Sequence, residues 1–153
     1  MTQDIDFVIG HFVKDEHGAK LLRNIWDVIQ AWDDAEDGDP NPAFSEAMRK
    51  ANIDIPQNPY YGAFLTSFQM QQMYLKWKAA NAFEAAKLRE HLPKSYMLRA
   101  EYYQLIVNMV SLLEGVEVAA LKAPDIWLCY GEAFADYEQE ICPTQPLDSL
   151  GAG

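Results

Sequence analysis

"LLRNIWDVIQAWDDAEDGDPNP", Leu21 to Pro42, decides how the chain folds. At about 100° per residue, Leu21, Leu22, Ile25, Trp26, Val28, Ile29 and Trp32 share one side of a helix. Lys20, Arg23, Asn24, Asp27, Gln30 and Asp34 share the other. This is an amphipathic helix with one buried stripe. Its last turn departs from the pattern: Glu36 falls in the middle of the apolar stripe, with Asp33 and Asp37 on its Trp26 edge. Acids at a helix C-terminus oppose the macrodipole, at ~0.3–1 kcal/mol each. Either the helix ends near Asp33 and the acids stand in water, or the core-facing stripe turns acidic and something positive sits among them.

Helical signals dominate on both sides of this stretch, and strand alternation and hairpin dipeptides are missing. A short helix is predicted near residues 3–13, ahead of the long one over 15–37. "NPAFSEAMRKAN" opens with an Asn cap and a Pro at the first helical position, so a third helix starts near Asn41. "IDIPQNPYY" reads as a loop, Pro59 to Glu90 as a long helix, and "HLPKS" as a tight connection. A helix over 94–114 breaks near Gly115, and segments 116–122 and 125–140 are separated by "APD". The expected architecture is all-α, an antiparallel bundle of about six helices in a single domain over 1–141, with a flexible tail over 142–153.

The whole chain narrows the function classes. At 153 residues it is long enough to bury a core, and 50% hydrophobic residues exclude a disordered chain. A net charge of −11 argues against a basic nucleic-acid-binding face. The N-terminal stretch carries acids where a signal peptide carries bases, and "YYQLIVNMVSLL" is too short to span a bilayer. Cys129 and Cys142 form no CxxC pair and read as free thiols of a reducing compartment, which makes the expected location cytoplasmic. His11, His17 and His91 have no metal-ligand spacing on one helix face.

The fourth helix repeats the anomaly of the second. Asn81 and Glu84 share the face of Met70, Met73, Trp77, Ala80 and Leu88. An unpaired inward carboxylate is costly, so Glu84 needs either an ion-pair partner, for which Arg99 is a candidate, or a bound cation. The 94–114 helix is apolar nearly all round and so is expected at the centre. Its exceptions, Glu101, Gln104, Asn108 and Ser111, form one narrow polar seam. An antiparallel hairpin about Leu92 sets Glu84 level with Glu101, and Asn81 level with Gln104. If the second and fourth helices run parallel, Asp33, Glu36, Asp37, Glu84 and Glu101 meet at one end of the bundle. Carboxylates from several helices suit a hard divalent ion such as Mg²⁺ or Mn²⁺. Such an ion commonly leaves positions for phosphate oxygens, which points to a diphosphate-bearing small molecule.

"DDAED", Asp33 to Asp37, matches the DDxxD pattern of the class I isoprenoid (terpenoid) synthases and, as in that family, lies late on an amphipathic helix. The resemblance implies a terpenoid synthase-like helical core, with Asp33 and Asp37 binding Mg²⁺ that holds a prenyl diphosphate. Trp26, Met70, Met73 and Trp77, with Asn81, Gln104 and Asn108, would then line the pocket, although a Met and Trp stripe alone is more often core than pocket. "WDDAEDGD" with "NAFEA" downstream also resembles small phage-encoded proteins with a "WDD…DGD" signature and no established activity. The family's second metal motif has no counterpart at the right spacing; Asn108, Ser111 and Glu114 come nearest.

Two other functions compete. Asp34-x-x-Asp37 and Asp33-x-x-Glu36 have the acid spacing of all-α nucleoside triphosphate pyrophosphatases, which surround Mg²⁺ with acidic helices. A non-catalytic acidic protein could instead cover a basic surface of a host partner. An exposed Met and aromatic face would suit a homodimer.

Overall fold

Two aspartates begin the fold. Asp4 Oδ1 accepts from the Asp6 N–H at 2.7 Å and opens helix α1 (Ile5–Phe12). Asp15 Oδ1 accepts from the Gly18 N–H at 3.0 Å and opens α2 (Glu16–Asp37). These caps satisfy backbone donors that the first turn leaves without partners. The computed structural model describes residues 4–64 and 67–144, without the side chains of Ser67, Phe68 and Met70. Those residues are helical or irregular, with no strand among them.

α2 does not end at Asp33. It runs through the acids to Asp37 and stops at Gly38, whose φ of 73° is left-handed. The Gly38 N–H reaches Ala35 O at 3.4 Å and the Asp39 N–H reaches Asp34 O at 2.9 Å. This Schellman closure satisfies carbonyls that the last turn would otherwise leave free. The Asn41 amide then donates to Ala31 O at 2.9 Å and folds the chain back along α2. Asn41 is therefore not a helix cap. Helix α3 (Phe44–Arg49) begins three residues later, with no side-chain cap at Ala43.

The expected loop over "IDIPQNPYY" is largely helical. A π-helical turn (Lys50–Asp54) continues α3 into α4 (Ile55–Gln57), and α5 (Tyr61–Phe64) follows. Arg49 bonds Asp54 twice, at 3.0 and 2.8 Å, which ties the widened turn across its length. The expected helix over 59–90 is α5 together with α6 (Ser67–Ala86), since Leu65 and Thr66 lie outside the described residues. α6 ends early because Lys87 takes a left-handed φ of 58°. A 3₁₀ turn (Arg89–His91) leads into α7 (Leu92–Arg99).

The predicted helix over 94–114 is broken. Across Ala100 and Glu101 the backbone tightens to i→i−3 bonds, such as Tyr103 N–H to Ala100 O at 3.0 Å, before α8 (Tyr102–Glu114) begins. Gly115, with a φ of 98°, ends α8 as expected. α9 (Val116–Leu128) is continuous through Pro124, so "APD" is no separator. α10 (Phe134–Ile141) closes the fold, and Arg89 holds the Cys142 carbonyl beyond it. Of the expected tail, residues 145–153 lie outside the described residues.

α8 is central, as its all-round apolarity predicts. Ile106, Met109 and Val110 are fully buried, with Val8 and Ile9 of α1, Leu21, Leu22 and Ile25 of α2, and Ile126 of α9. α6 packs chiefly on α7, and α8 on α9. No helix among the described residues is long and apolar enough to cross a membrane. Both cysteines are free thiols. Met73 and Trp77 are half-buried, and the most exposed large apolar residues are Leu121, Leu128 and Val116 of α9.

Candidate functional site

α2 and α6 run in the same direction. Trp26 and Met73 border one cavity, Lys78 bonds Glu36 at 3.2 Å, and Asp37 and Glu84 border one cleft. Two neighbouring spaces result. The first is an apolar cavity of about 360 Å³. Trp26, Ile29 and Trp32 of α2, Met73, Tyr74 and Trp77 of α6, and Tyr102 and Tyr103 of α8 form its walls, with Tyr130 from the loop before α10. The second is an open polar cleft of about 550 Å³, bordered by Asp33, Glu36, Asp37, Asn81, Glu84, Lys87, Tyr137 and Glu140 among others. Asp33, Arg99 and Glu132 border both spaces and form the junction between them.

The aromatic walls brace each other. Trp26 meets Tyr102 edge to face at 5.0 Å, and Tyr103 meets Tyr130 at 5.7 Å. The Tyr102 hydroxyl donates to Leu22 O at 2.5 Å, anchoring the ring to α2. Burial raises the pKa of Tyr102, Tyr103 and Tyr130, so all three rings are neutral phenols at neutral pH.

Arg99 organises the junction. Its Nε and Nη2 donate to the two Glu84 oxygens at 3.0 and 2.6 Å, and Nη2 also reaches Asn81 Oδ1. The Tyr137 hydroxyl donates to Glu84 Oε2 at 2.7 Å and makes a short contact with Ser95 Oγ. Burial alone would raise the Glu84 carboxyl, but the Arg99 and Tyr137 bonds outweigh it and hold it below its ordinary value. Arg99 is Glu84's partner, so of the two alternatives open from sequence the ion pair is the one found. The buried Asn81 Nδ2 has no hydrogen-bond partner among the described residues.

Asp33 differs from Glu84. Burial, then repulsion from Asp37, raises its pKa, and Arg99 offsets this only in part. Glu132 is also raised, by burial and then by Glu140. Neither has a cation at ion-pair distance among the described residues.

Of the predicted site residues, Asp33, Glu36, Asp37, Asn81 and Glu84 border the cleft, and Trp26, Met73, Trp77 and Glu101 border the cavity. Glu101 does not stand level with Glu84; it accepts from Lys76 Nζ at 2.6 Å. The 3₁₀ turn and the break at Ala100 shift the hairpin register away from a simple fold-back about Leu92. Gln104 and Asn108 border neither space. They sit on the side of α8 opposite Tyr102 and Tyr103 and bond each other at 2.9 Å. The Met70 side chain lies outside the described residues. Among those residues, no three Asp, Glu, His or Cys side chains stand close enough to hold one metal ion.

Sequence reading missed Trp32, Tyr102, Tyr103, Tyr130 and Glu132 as site residues. The adjacent pair "YY" at 102–103 was the available signal, because neighbouring rings on a helix diverge by about 100° and only one can point to the centre of the core. Fold and site define an all-helical protein with an aromatic cavity beside an acidic cleft. No family model, curated protein or solved structure matches the chain.

Proposed function

We propose that the protein binds a small amphiphilic molecule, its apolar body in the aromatic cavity and its polar head in the cleft. The observation that carries this reading is the junction: Asp33, Arg99 and Glu132 border both an apolar space and a polar one. A cavity of about 360 Å³ falls within the range of small-molecule pockets, ~300–1,000 Å³.

The test is thermal unfolding against a panel of small amphiphiles, for wild type and for Met73→Trp, which fills the cavity. Ligands that bind only the folded state raise the wild-type midpoint by linkage and leave the filled variant unmoved. Equal shifts in both proteins, or none in either, would sink this reading.

A metal-dependent form is the second reading. In it, Asp33 and Asp37 hold Mg²⁺ or Mn²⁺, which holds a diphosphate head, on a terpenoid synthase-like core. Its support is that Asp33, Glu36, Asp37 and Glu84 border one cleft. Glu36 and Glu84 are engaged by Lys78 and Arg99, so Asp33 and Asp37 are the free ligands. Mg²⁺ commonly takes only one or two carboxylates and fills its remaining positions with water and phosphate oxygens. Pyrophosphate with Mg²⁺ raising the wild-type midpoint, but not that of Asp33→Ala/Asp37→Ala, would support it.

A further inference from the structure

The charge left over at the junction identifies the head group. Glu84, Glu36 and Glu101 are paired with Arg99, Lys78 and Lys76. Asp33, Asp37, Glu132 and Glu140 keep no ion pair among the described residues. Two of these four, Asp33 and Glu132, also border the aromatic cavity. The Arg99 charge is largely answered by Glu84 and only in part offsets Asp33 and Glu132, while Lys87 borders the cleft but not the cavity, its Nζ bonded to Ile141 O. A molecule in the cavity therefore meets Trp and Tyr rings and two carboxylates that have no ion pair among the described residues. Ring faces are negative in their quadrupole and attract cations, most strongly where water is excluded. An anionic head would meet repulsion from both sets of groups.

We propose that the ligand is an organic cation, an ammonium-type head on an apolar body, held between Trp77 and the Asp33–Glu132 pair. This inference rests on the cavity being a ligand site. It goes further by fixing the sign of the ligand's charge without a metal. Trp77 is placed for this role, because it borders the cavity together with Asp33 and already carries Lys78 Nζ 5.4 Å from its ring centroid.

Two probes of one shape separate charge from fit: benzyltrimethylammonium and its uncharged carbon analogue neopentylbenzene. Tryptophan fluorescence at matched ionic strength reports both, since Trp26, Trp32 and Trp77 border the cavity. The ammonium is expected to bind at least about tenfold more tightly than the hydrocarbon. Asp33→Asn/Glu132→Gln should erase that difference, with an unchanged far-UV circular dichroism spectrum showing that the variant is folded. Should the double variant lose its fold, Asp33→Asn alone should reduce the difference. Equal affinity of the two probes for wild type would overturn the cation inference and leave the cavity reading standing. If neither probe binds, the cavity is no ligand site and both fall.

Discussion

Two half-buried carboxylates face Arg99 and respond to it in opposite ways. Glu84 is bonded bidentately and held below the ordinary 4.5. A group depressed in the folded state adds stability above its unfolded pKa and loses it as pH falls through the folded value. Asp33 is raised above 3.8 by burial and by Asp37. Its contribution runs the other way, present below the unfolded pKa and lost as pH rises through the folded one. Asp33→Asn should therefore be at least as stable as wild type at pH 7, and any gain should vanish near pH 3. Urea unfolding at both pH values measures this, and marked destabilisation at pH 7 would contradict it. Arg99→Met leaves Glu84 mostly buried with no cation, since the pair is only 22% and 17% exposed. A loss of about 2–3 kcal/mol is expected at neutral pH. Glu84→Gln in the same background should recover part of it, and additive losses in that double-mutant cycle would deny the coupling.

At the scale of elements, the sequence was legible wherever a strong period or a special residue marked the chain. The α2 wheel located Asp33 on the inner edge, and Gly38 and Gly115 ended helices where their φ of 73° and 98° require glycine. The breaks without such marks were not legible. Nothing in "LRAEYY" announces the i→i−3 turn at Ala100, and Lys87 adopts a left-handed φ with no glycine to signal it. With the connection turned at Lys87 and the chain broken after Arg99, Glu84 meets Arg99 and Glu101 meets Lys76. Half of the site was thus readable from helix faces, and the aromatic half depended on tertiary placement. The glycine argument is testable. Gly115 has a ψ of 158° with its positive φ, a region that side chains rarely enter. No atom lies within 4 Å of an added Cβ, so the cost of Gly115→Ala is backbone strain alone. It should lower stability by about 1–3 kcal/mol. A loss under about 0.5 kcal/mol in denaturant unfolding would mean that the α8–α9 junction relaxes.

For the whole molecule, charge and site are linked. A net charge of −11 on 153 residues implies self-repulsion, and the cleft gathers acids from α2, α6 and α10 together with Glu132. Screening should relieve it. Raising NaCl from about 0.02 M to about 0.5 M shortens the Debye length from roughly 20 Å to roughly 4 Å, so the thermal midpoint should rise. Mg²⁺ at matched ionic strength separates screening from binding. Among the described residues no three acids stand close enough to share one ion, so the expected result is a shift no larger than that of Na⁺. An excess shift with Mg²⁺ that disappears in Asp33→Ala/Asp37→Ala would reverse the ranking of the two functional readings. The cleft would then be a metal site, and an anionic diphosphate, rather than an organic cation, would be the head group to seek.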